Sequence, residues 1–350
     1  MTYNFDIARS RVIMKLKREM KDVENCNIKM RSDDEYDEVV NDSVMIKDNS
    51  KDTYTSRMRY MRKYFEYPSI HEVLINPLKY AVGIIDWNAN MKHKDNSFVC
   101  ILAYLSLSGL KSECRKLFTL WYRSYMVVYK ELVRLRESNI PTEKQVLSML
   151  KWGDIIKVRD GLEYGSNEHL LLCMHTYVPP RRQLDYARMR VYTDPDVDPL
   201  KDENYCQLFN RRLGAPVLFY HEYKNAKYFR DFLNKEVPIE LLKVVASSLE
   251  KYPREYLFVN QKSGDLYNTQ VFTTFANRVL KKVFDNEHVS VNTLRHSFVN
   301  YIARKQITFS DRKRIARKMG HTLSKSMEYV LYNKKTELIR AAPLGDDESD

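Results

Sequence analysis

The residues with the clearest potential for chemistry are Arg295, which begins a run with helical apolar spacing (LRHSF), and His321, which follows a second predicted helix. Gly320 is placed to end that second helix in the left-handed region, so that His321 is presented just beyond it. An arginine and a histidine presented in this way can converge on an anion. The same pattern also fits a surface arginine and a histidine that caps a helix.

Further groups of suitable chemical types accompany these two residues. Asn292 lies three positions before Arg295 and four before His296, so it shares a predicted helical face with each of them. Elsewhere, two arginines and a carboxylate follow a Pro-Pro pair, two lysines lie in a predicted turn, and two tyrosines come after His321. This second set consists of Arg181, Arg182, Asp185, Lys224, Lys227, Tyr329 and Tyr332.

Arginine, lysine, histidine and tyrosine without a cluster of metal ligands suit the attack of a tyrosine on a DNA phosphodiester. A planar guanidinium can hold both non-bridging oxygens and stabilise the charge of the pentacoordinate state. A lysine or histidine can protonate the leaving oxygen. The tyrosine oxygen becomes the covalent link, which conserves the bond energy for rejoining without ATP.

The composition favours a polyanionic partner, most simply nucleic acid. The 350 residues carry a formal net charge of +12, and 25 tyrosines are interleaved among 58 lysines and arginines. A basic protein with ordinary solvated faces is the alternative. The length suggests two domains, and we expect no apolar run long enough to span a membrane and no secretory leader.

Several other classes of protein are not indicated. The chain has nine glycines and neither a GxxxxGK[ST] loop nor a GxGxxG fingerprint, so no nucleotide cofactor is predicted. The five cysteines are scattered without a CxxC pair, which predicts reduced thiols rather than disulfides or a zinc site. The sequence therefore predicts an enzyme that requires neither a metal nor a cofactor.

The elements before the proposed chemistry divide the chain. Residues 1–50 are charged and predict an arm or linker, and residues 51–137 predict a small helical domain with one basic surface. A linker follows at 138–141, and residues 341–350 form an acidic tail. The candidates for phosphate contact in the helical domain are Arg57, Arg59, Arg62, Lys63, Arg115, Lys116 and Arg123.

After the linker, Thr142 with Gln145 makes a capping box that begins a new helix. A buried helix is predicted at 166–177, and three short strands are predicted around 189–191, 217–219 and 237–239. A helix from Ser310 to Met319, with Ser310 as its N-cap, then precedes His321. This pattern predicts a mainly α chain with a small antiparallel sheet, an α+β class.

At this point the chain resembles the tyrosine recombinases, the integrases of the site-specific recombinase class. The resemblance lies in the LRHSF and MGH stretches, the PPRR stretch and the YKNAK turn, and covers about residues 140–335. It implies a helical core-binding domain followed by a catalytic domain at 138–340. The PPRR and YKNAK forms are similar to those of large eukaryotic DNA viruses and related mobile elements.

The resemblance also implies roles for particular residues. Its first arginine falls on Arg182, preferred to Arg181 because Asp185 then lies three positions on and would orient it. The hairpin lysine falls on Lys224, with Lys227 a close second. The second arginine falls on Arg295, and the later histidine position on His321.

Two positions depart from the family pattern. Asn292 stands where the family usually has a histidine, and an amide cannot take up a proton at neutral pH. His296 matches a histidine that often follows the second arginine, for which packing or a substitute role as base are both open. The nucleophile is Tyr329 or Tyr332, one residue short of and two residues beyond the common spacing from His321.

The resemblance implies a site-specific recombinase or integrase that binds double-stranded DNA and cuts it through a 3′-phosphotyrosine intermediate. A homotetramer on two duplexes is implied, in the nucleus or cytoplasm of a host cell. The same residues also serve a type IB topoisomerase or a telomere resolvase. Asn292 keeps open a third possibility, a catalytically inactive DNA-binding factor with the same fold.

Overall fold

The computed structural model describes residues 4–330 except Asn25, Asn27, 45–47 and Arg230, and it does not describe the side chains of 48, 49, 227 and 228. The chain forms two compact units that divide between Ser138 and Asn139. No helix in these ranges has the length and apolar character needed to cross a bilayer.

Unit 1 is all helical. Its helices are α1 (Phe5–Glu24), α2 (Asp33–Asn41), α3 (Asp48–Phe65), α4 (Ile70–Ile75), α5 (Pro77–Asp86), α6 (Met91–Leu107), α7 (Leu110–Glu113) and α8 (Arg115–Glu137). The helices α6 and α8 pack on α1, α3 and α5 around Trp121, whose indole N–H donates to the Leu74 carbonyl. Burying this large ring with its donor satisfied anchors the core.

The segment 1–50, expected as an arm, contributes two of these helices in its described part. Helix α1 buries Val12 and Leu16, and α2 buries Tyr36 and Val40, all in the core of unit 1. The capping box at Ser32 starts α2 at the acidic run, because the carboxylates of its first turn complement the helix dipole. The acidic run is therefore a helix start in this structure.

A disulfide in unit 1 corrects one expectation about the cysteines. Cys26, just after α1, is bonded to Cys114, which lies between α7 and α8. The other three cysteines are free and buried. The sequence could not show this pair because the two residues are 88 positions apart and are brought together by the packing of α1 on α8.

Unit 2 surrounds a small sheet with helices. Its elements are α9 (Glu143–Ser148), α10 (Trp152–Asp160), α11 (Asn167–Thr176), α12 (Leu184–Ala187), β1 (Arg190–Tyr192), β2 (Tyr205–Asn210), β3 (Ala215–Tyr220), α13 (Ala226–Phe229), β4 (Phe232–Asn234), α14 (Ile239–Lys251), α15 (Thr269–Val283), α16 (Val291–Arg304), α17 (Phe309–Lys318) and α18 (Leu323–Met327). The sheet has the order β1-β2-β3-β4. This confirms the predicted α+β class.

The sheet differs in detail from the predicted one. It is mixed, because β1 runs parallel to β2, whereas the other two pairs are antiparallel. Strand β2 was missed because two polar residues are buried in it, Gln207 and Asn210, which hydrogen-bond to each other at 2.7 Å. The strand predicted at 237–239 is wrong, since Ile239 begins α14 directly after Pro238.

The helices that lead to the site begin largely as predicted. The capping box of Thr142 and Gln145 is present at the start of α9. Helix α17 has Thr308 rather than Ser310 as its N-cap, so its predicted start was two residues late. Gly320 adopts φ = +73°, which confirms the left-handed turn after that helix.

Candidate active site

Arg295 is the centre of the site. It lies in the second turn of α16, and its side chain is fully buried. Its Nη1 atom donates to the carbonyl oxygens of Pro180 (2.7 Å) and Met319 (3.3 Å). Within the described residues, its Nε and Nη2 atoms make no hydrogen bond of standard geometry. One edge of the guanidinium therefore holds the backbone, and the other edge makes no hydrogen bond of standard geometry to the described residues, although the Tyr329 side chain lies close enough to interact with this guanidinium.

Arg181 is also fully buried, but its partners differ. Its Nε donates to Asp185 Oδ2 at 2.7 Å, and its Nη1 donates to the Lys318 carbonyl at 2.8 Å. The guanidinium carbon lies 3.9 Å from the centroid of the Tyr220 ring and 4.7 Å from that of Tyr223. Burial is the largest single effect and acts to lower the pKa of Arg181, but the charge and hydrogen bond of Asp185 together with the Tyr220 and Tyr186 phenols outweigh it, and the pKa is raised. These contacts tie Arg181 to α12 and to the end of α17, and its Nη2 atom makes no hydrogen bond of standard geometry to the described residues.

The expectation that Asp185 orients Arg182 is therefore wrong, because Asp185 pairs with Arg181. Arg181 precedes the short helix α12, and Asp185 in the first turn of that helix reaches back to it across four positions. Arg182 is half-buried, and among the described residues it has neither a carboxylate nor a hydrogen-bond acceptor. Its positive charge acts on Arg295, His321 and Tyr329, which places it in the same site.

The turn after α17 is held by three side chains from distant segments. Arg181, Arg295 and Asn225 donate to the carbonyl oxygens of residues 318, 319 and 320, respectively. The last carbonyls of a helix have no partner within the helix, so these donors satisfy groups that would otherwise be orphaned. Because the three carbonyls are consecutive, the position of His321 is fixed.

His321 is buried and neutral. Its Nδ1 atom lies 3.2 Å from the Thr322 carbonyl oxygen, and a carbonyl can only accept, so Nδ1 carries the proton. The Nε2 atom is then an acceptor, and it has no partner in the described part of the chain. Burial, followed by the charge of Arg295, lowers the pKa of His321 to about 3.

Tyr329 follows α18 and lies against these groups. Its ring centroid is 5.4 Å from that of His321 and 4.6 Å from that of His296, and the guanidinium carbon of Arg295 is 5.3 Å away. Burial acts to raise the pKa of Tyr329, but the charges of Arg295, Arg182 and Lys325 outweigh burial and lower it. Tyr332, the other candidate, lies outside the described residues.

His296 and Asn292 leave α16 in different environments. The Nδ1 atom of His296 lies 2.9 Å from the main-chain carbonyl oxygen of Tyr329. Asn292 is exposed and lines a groove of about 820 Å³ between α16 and residues 142–153, where His296 also lies. Arg295, which the prediction also placed on the face of Asn292, is buried and is not among the residues that line this groove.

The two candidate lysines lie beside the same turn. Lys224 is exposed between β3 and α13, and the neighbouring Asn225 donates to the Gly320 carbonyl at 2.8 Å. Lys227 lies in α13, but its side chain is outside the described set. The contact of Asn225 ties the lysine turn to the His321 turn. Sequence reasoning missed Asn225, although its place beside Lys224 and its amide were the available signals.

The cations predicted to contact DNA in unit 1 are mostly engaged within the unit. Four of them pair with carboxylates of α1 and α2. These pairs are Arg59–Asp37 (3.8 Å), Arg62–Asp33 (2.8 Å), Lys116–Asp22 (2.9 Å) and Arg123–Glu19 (2.9 Å). Arg57 lies over the Tyr60 ring, while Lys63 and Arg115 are exposed and have no carboxylate partner in the described ranges.

A metal centre is not formed by the described side chains. Within those residues, no group of three or more His, Cys, Asp or Glu side chains could hold a metal ion. The histidine–cysteine contact on α11, His169 to Cys173 at 3.4 Å, is buried in the core, and burial raises the pKa of this thiol to about 12. Such a thiol is inert.

Comparisons with known proteins bear on this geometry. No protein-family model matches the sequence, and no curated protein matches it either. A fragment of the Tn1549 transposon integrase, solved with circular intermediate DNA, is similar with a TM-score of 0.51 at 15% identity, over 88% of this chain and 99% of that one. XerH recombinase bound to difH gives a TM-score of 0.38 at 16% identity, over 96% and 97%. XerA recombinase gives a TM-score of 0.40 at 15% identity, over 83% of this chain and 96% of that one.

The likeness to the transposon integrase extends over both units and concerns the fold. It agrees with the observed order of elements, in which an all-helical unit precedes an α+β unit with a four-stranded sheet. From these observations we conclude that the chain has the α+β fold of the tyrosine recombinases.

Proposed function

We propose that this protein cuts and rejoins double-stranded DNA through a covalent bond between a phosphate and Tyr329. One observation carries the proposal. The Nε and Nη2 atoms of the buried Arg295 lie on one edge of the guanidinium and make no hydrogen bond of standard geometry within the described part of the chain. That edge matches two oxygens of a phosphate, and an unmet charge at such depth is costly unless an anion binds there. The nucleophile lies beside it.

The proposed reaction is a transesterification. The oxygen of Tyr329 forms a bond to phosphorus while the bond from phosphorus to the 5′ oxygen breaks, and no net bond energy is lost. Arg295 and Arg182 stabilise the charge on the non-bridging oxygens. The phenol proton passes to solvent, since the arginine charges favour the phenolate, and Lys224 protonates the leaving 5′ oxygen.

His321 contributes an acceptor next to Tyr329 and the arginines. Its Nε2 lone pair would repel a phosphate oxygen, so this nitrogen takes up a proton when the phosphate binds and then donates to it. The anion favours this protonation because it offsets the charge of Arg295 that depresses the pKa of the free histidine. Asn292 supplies no proton acceptor, and it is exposed on the groove.

Recombination between two duplexes is the form of the reaction that we prefer. The transposon integrase that is similar to this chain was solved with a circular DNA intermediate, which supports a strand-exchange substrate. Strand exchange between two duplexes requires several copies of the active site, so we propose that the protein assembles as a homotetramer on DNA. Integration of a mobile or viral element is the biological setting that this proposal implies.

The test can be made before the target sequence is identified. The full chain is incubated with a pool of random duplexes that carry single nicks, because diffusion of a short 5′-hydroxyl fragment traps the covalent intermediate. Adducts that resist denaturation are isolated, their DNA is sequenced, and the modified peptide is identified by mass spectrometry. We expect an adduct on Tyr329 and enrichment of a defined sequence.

The variants Tyr329→Phe and Tyr332→Phe form a matched pair. We expect Tyr329→Phe to abolish the adduct while DNA retention is unchanged, and Tyr332→Phe to leave the adduct intact. Loss of the adduct in Tyr332→Phe alone would identify Tyr332, rather than Tyr329, as the nucleophile. Retention of DNA without an adduct on any member of the pool would contradict an enzymatic role, and plasmid relaxation without site preference would indicate a topoisomerase.

A further inference from the structure

We propose that His296 is a positioning residue that fixes the nucleophile through its main chain, and that it is not the base that replaces the missing histidine at Asn292. The inference rests on the proposed function, because it assumes that Tyr329 is the nucleophile. It concerns one contact, in which the Nδ1 atom of His296 lies 2.9 Å from the Tyr329 carbonyl oxygen.

The direction of this hydrogen bond follows from its partners. A carbonyl oxygen only accepts, so Nδ1 of His296 carries the proton and donates it. The imidazole is neutral, because burial lowers its pKa. The ring also packs against the Tyr329 side chain, with centroids 4.6 Å apart. One residue of α16 therefore holds both the main chain and the ring of the tyrosine.

This contact is needed because local structure holds Tyr329 weakly. Helix α18 has five residues and ends at Met327, two positions before the tyrosine. Beyond the helix, two turn hydrogen bonds restrain this segment locally, from the Tyr329 N–H to the Ser326 carbonyl at 3.0 Å and from the Val330 N–H to the Met327 carbonyl at 3.1 Å. Side chains from other segments must therefore fix the phenol: His321 and Arg295 contact its ring, and His296 contacts its ring and also bonds its main chain. Misplacement by about 1 Å can cost on the order of 100-fold in rate.

Position along α16 explains why His296 can do this. Arg295 and His296 are consecutive, so the residue that receives the phosphate and the residue that holds the nucleophile move as one rigid element. Among the described residues, no hydrogen bond is found to the Nε2 atom of His296, which lines the groove with Asn292. A role as base would require a titratable Nε2 atom, whereas a positioning role would require only the Nδ1 donor. Substitutions can therefore distinguish the two roles.

Substitution by an amide side chain can keep the hydrogen-bond donor while removing the titratable base. In His296→Asn, the amide N–H is attached to Cγ, as Nδ1 is, so the donor is kept while the titratable base is lost. In His296→Gln, the amide is one bond further out and mimics Nε2 instead. His296→Ala removes both. The control is His288→Ala, which removes an exposed histidine that lines the same groove.

Two measurements are made on the full chain. Hydrogen–deuterium exchange of the peptide covering 323–330 reports the anchor without DNA. The rate of adduct formation on the nicked random duplexes reports the reaction. We expect exchange at least 10-fold faster and adduct formation 10- to 100-fold slower in His296→Ala and His296→Gln. We expect both quantities within about 3-fold of the unsubstituted protein in His296→Asn and His288→Ala.

Other outcomes are equally informative. An adduct rate as low in His296→Asn as in His296→Ala, with exchange unchanged in the asparagine variant, would show that a base is needed and would overturn the proposal. Unchanged exchange and rate in His296→Ala would also overturn it. If the unsubstituted protein forms no adduct, the proposed function fails, whereas the exchange data still decide whether His296 holds this segment.

Discussion

Arg295 brings a charge into a site where its hydrogen bonds go to two main-chain carbonyl oxygens. Burial, the largest effect, lowers its pKa, and the charge of Arg182 acts in the same direction, so the neighbourhood disfavours the cation. An arrangement of this kind persists where function requires it. The sequence identified Arg295 through the LRHSF stretch, but it could not show which edge of the guanidinium would remain without an acceptor.

The substitution Arg295→Lys tests whether the two-pronged edge of the guanidinium is needed. Arg295→Lys keeps the charge but loses the two-pronged edge, so we expect adduct formation to fall by about 100-fold or more. The measurement is the initial rate of adduct formation on nicked duplexes. Arg254→Lys is the control, because the Arg254 donors are bonded to main-chain carbonyls and to Ser248 away from the site. Equal losses in both variants would contradict the assignment.

The neutral state of His321 makes a prediction about pH. Its pKa is about 3 in the folded protein, against an ordinary value of 6.5. Between these values the unfolded chain binds a proton that the folded chain does not. The free energy of unfolding therefore decreases as the pH falls below 6.5, by up to about 1.4 kcal/mol per pH unit from this residue.

His175, also buried and with a pKa of about 4, acts in the same direction, so the test compares slopes. We expect His321→Asn, which keeps a donor for the Thr322 carbonyl, to lose stability less steeply than the unsubstituted protein between pH 6.5 and 5. Urea unfolding at each pH gives the slopes. Identical slopes would mean that His321 titrates normally in the folded protein.

At the scale of elements, the end of α17 determines the geometry of the site. Gly320 turns the chain at φ = +73°, and a Cβ atom there would lie 3.1 Å from Arg181 Nη2. The sequence predicted this turn, because a glycine after an amphipathic helix is a strong local signal. The three donors to its carbonyls were not predictable in the same way, since they come from segments about 24 to 137 residues away.

Replacing Gly320 by alanine has two costs in stability: the strain of a positive φ and the steric clash of the new methyl group with Arg181. Gly264 has a similar φ of +76° with open space around its Cβ position, so Gly264→Ala measures the backbone cost alone. We expect Gly320→Ala to be destabilised by about 1 to 3 kcal/mol more, because its methyl group must displace a buried guanidinium. Urea unfolding measures both free energies. Equal losses would indicate that Arg181 can move aside without cost.

The elements also show where pattern reasoning stopped. The capping box at Thr142 was predicted correctly because its signal lies within four residues. The pairing of Asp185 was assigned to Arg182 from the family pattern of an acidic residue three positions on, and the four-residue helix α12 is too short to give a local signal against it. Strand β2 could not be predicted because two of its buried residues, Gln207 and Asn210, are polar and break the alternation of apolar and polar residues. Their amide groups are satisfied by a hydrogen bond to each other.

At the scale of the whole molecule, net charge and available charge differ. The chain carries +12, yet four of the seven cations predicted to contact DNA in unit 1 are paired with carboxylates of α1 and α2. Exposed pairs of this type contribute little to stability. Their main consequence is that α1 and α2 lower the positive potential of the surface on which they lie.

Neutralising the acidic partners should therefore strengthen binding to DNA of any sequence. We expect the double variant Glu19→Gln, Asp22→Asn to free Arg123 and Lys116 together with Lys15 and Arg18, which also pair with Glu19, and to make the slope of log K against log salt steeper by up to about 3.6. Fluorescence anisotropy with an arbitrary duplex at several salt concentrations gives the slope.

The control has the same change in net charge at carboxylates for which no ion pair is found among the described residues. Glu24→Gln with Glu137→Gln meets this condition, since both residues are exposed on helices of the same unit. An equal change of slope in the control would show that net charge, rather than release of particular cations, governs binding.

The unsatisfied edge of Arg295 has a practical consequence for anyone who engineers this protein. Replacement of a buried ion by a hydrophobic side chain of similar volume is often neutral or stabilising. Directed evolution for heat tolerance or soluble yield would therefore enrich changes such as Arg295→Met wherever relief of the buried charge exceeds the loss of the donor to Pro180 and Met319, and under the proposed function such clones would be unable to join DNA. Any such campaign should screen for ligation at every round.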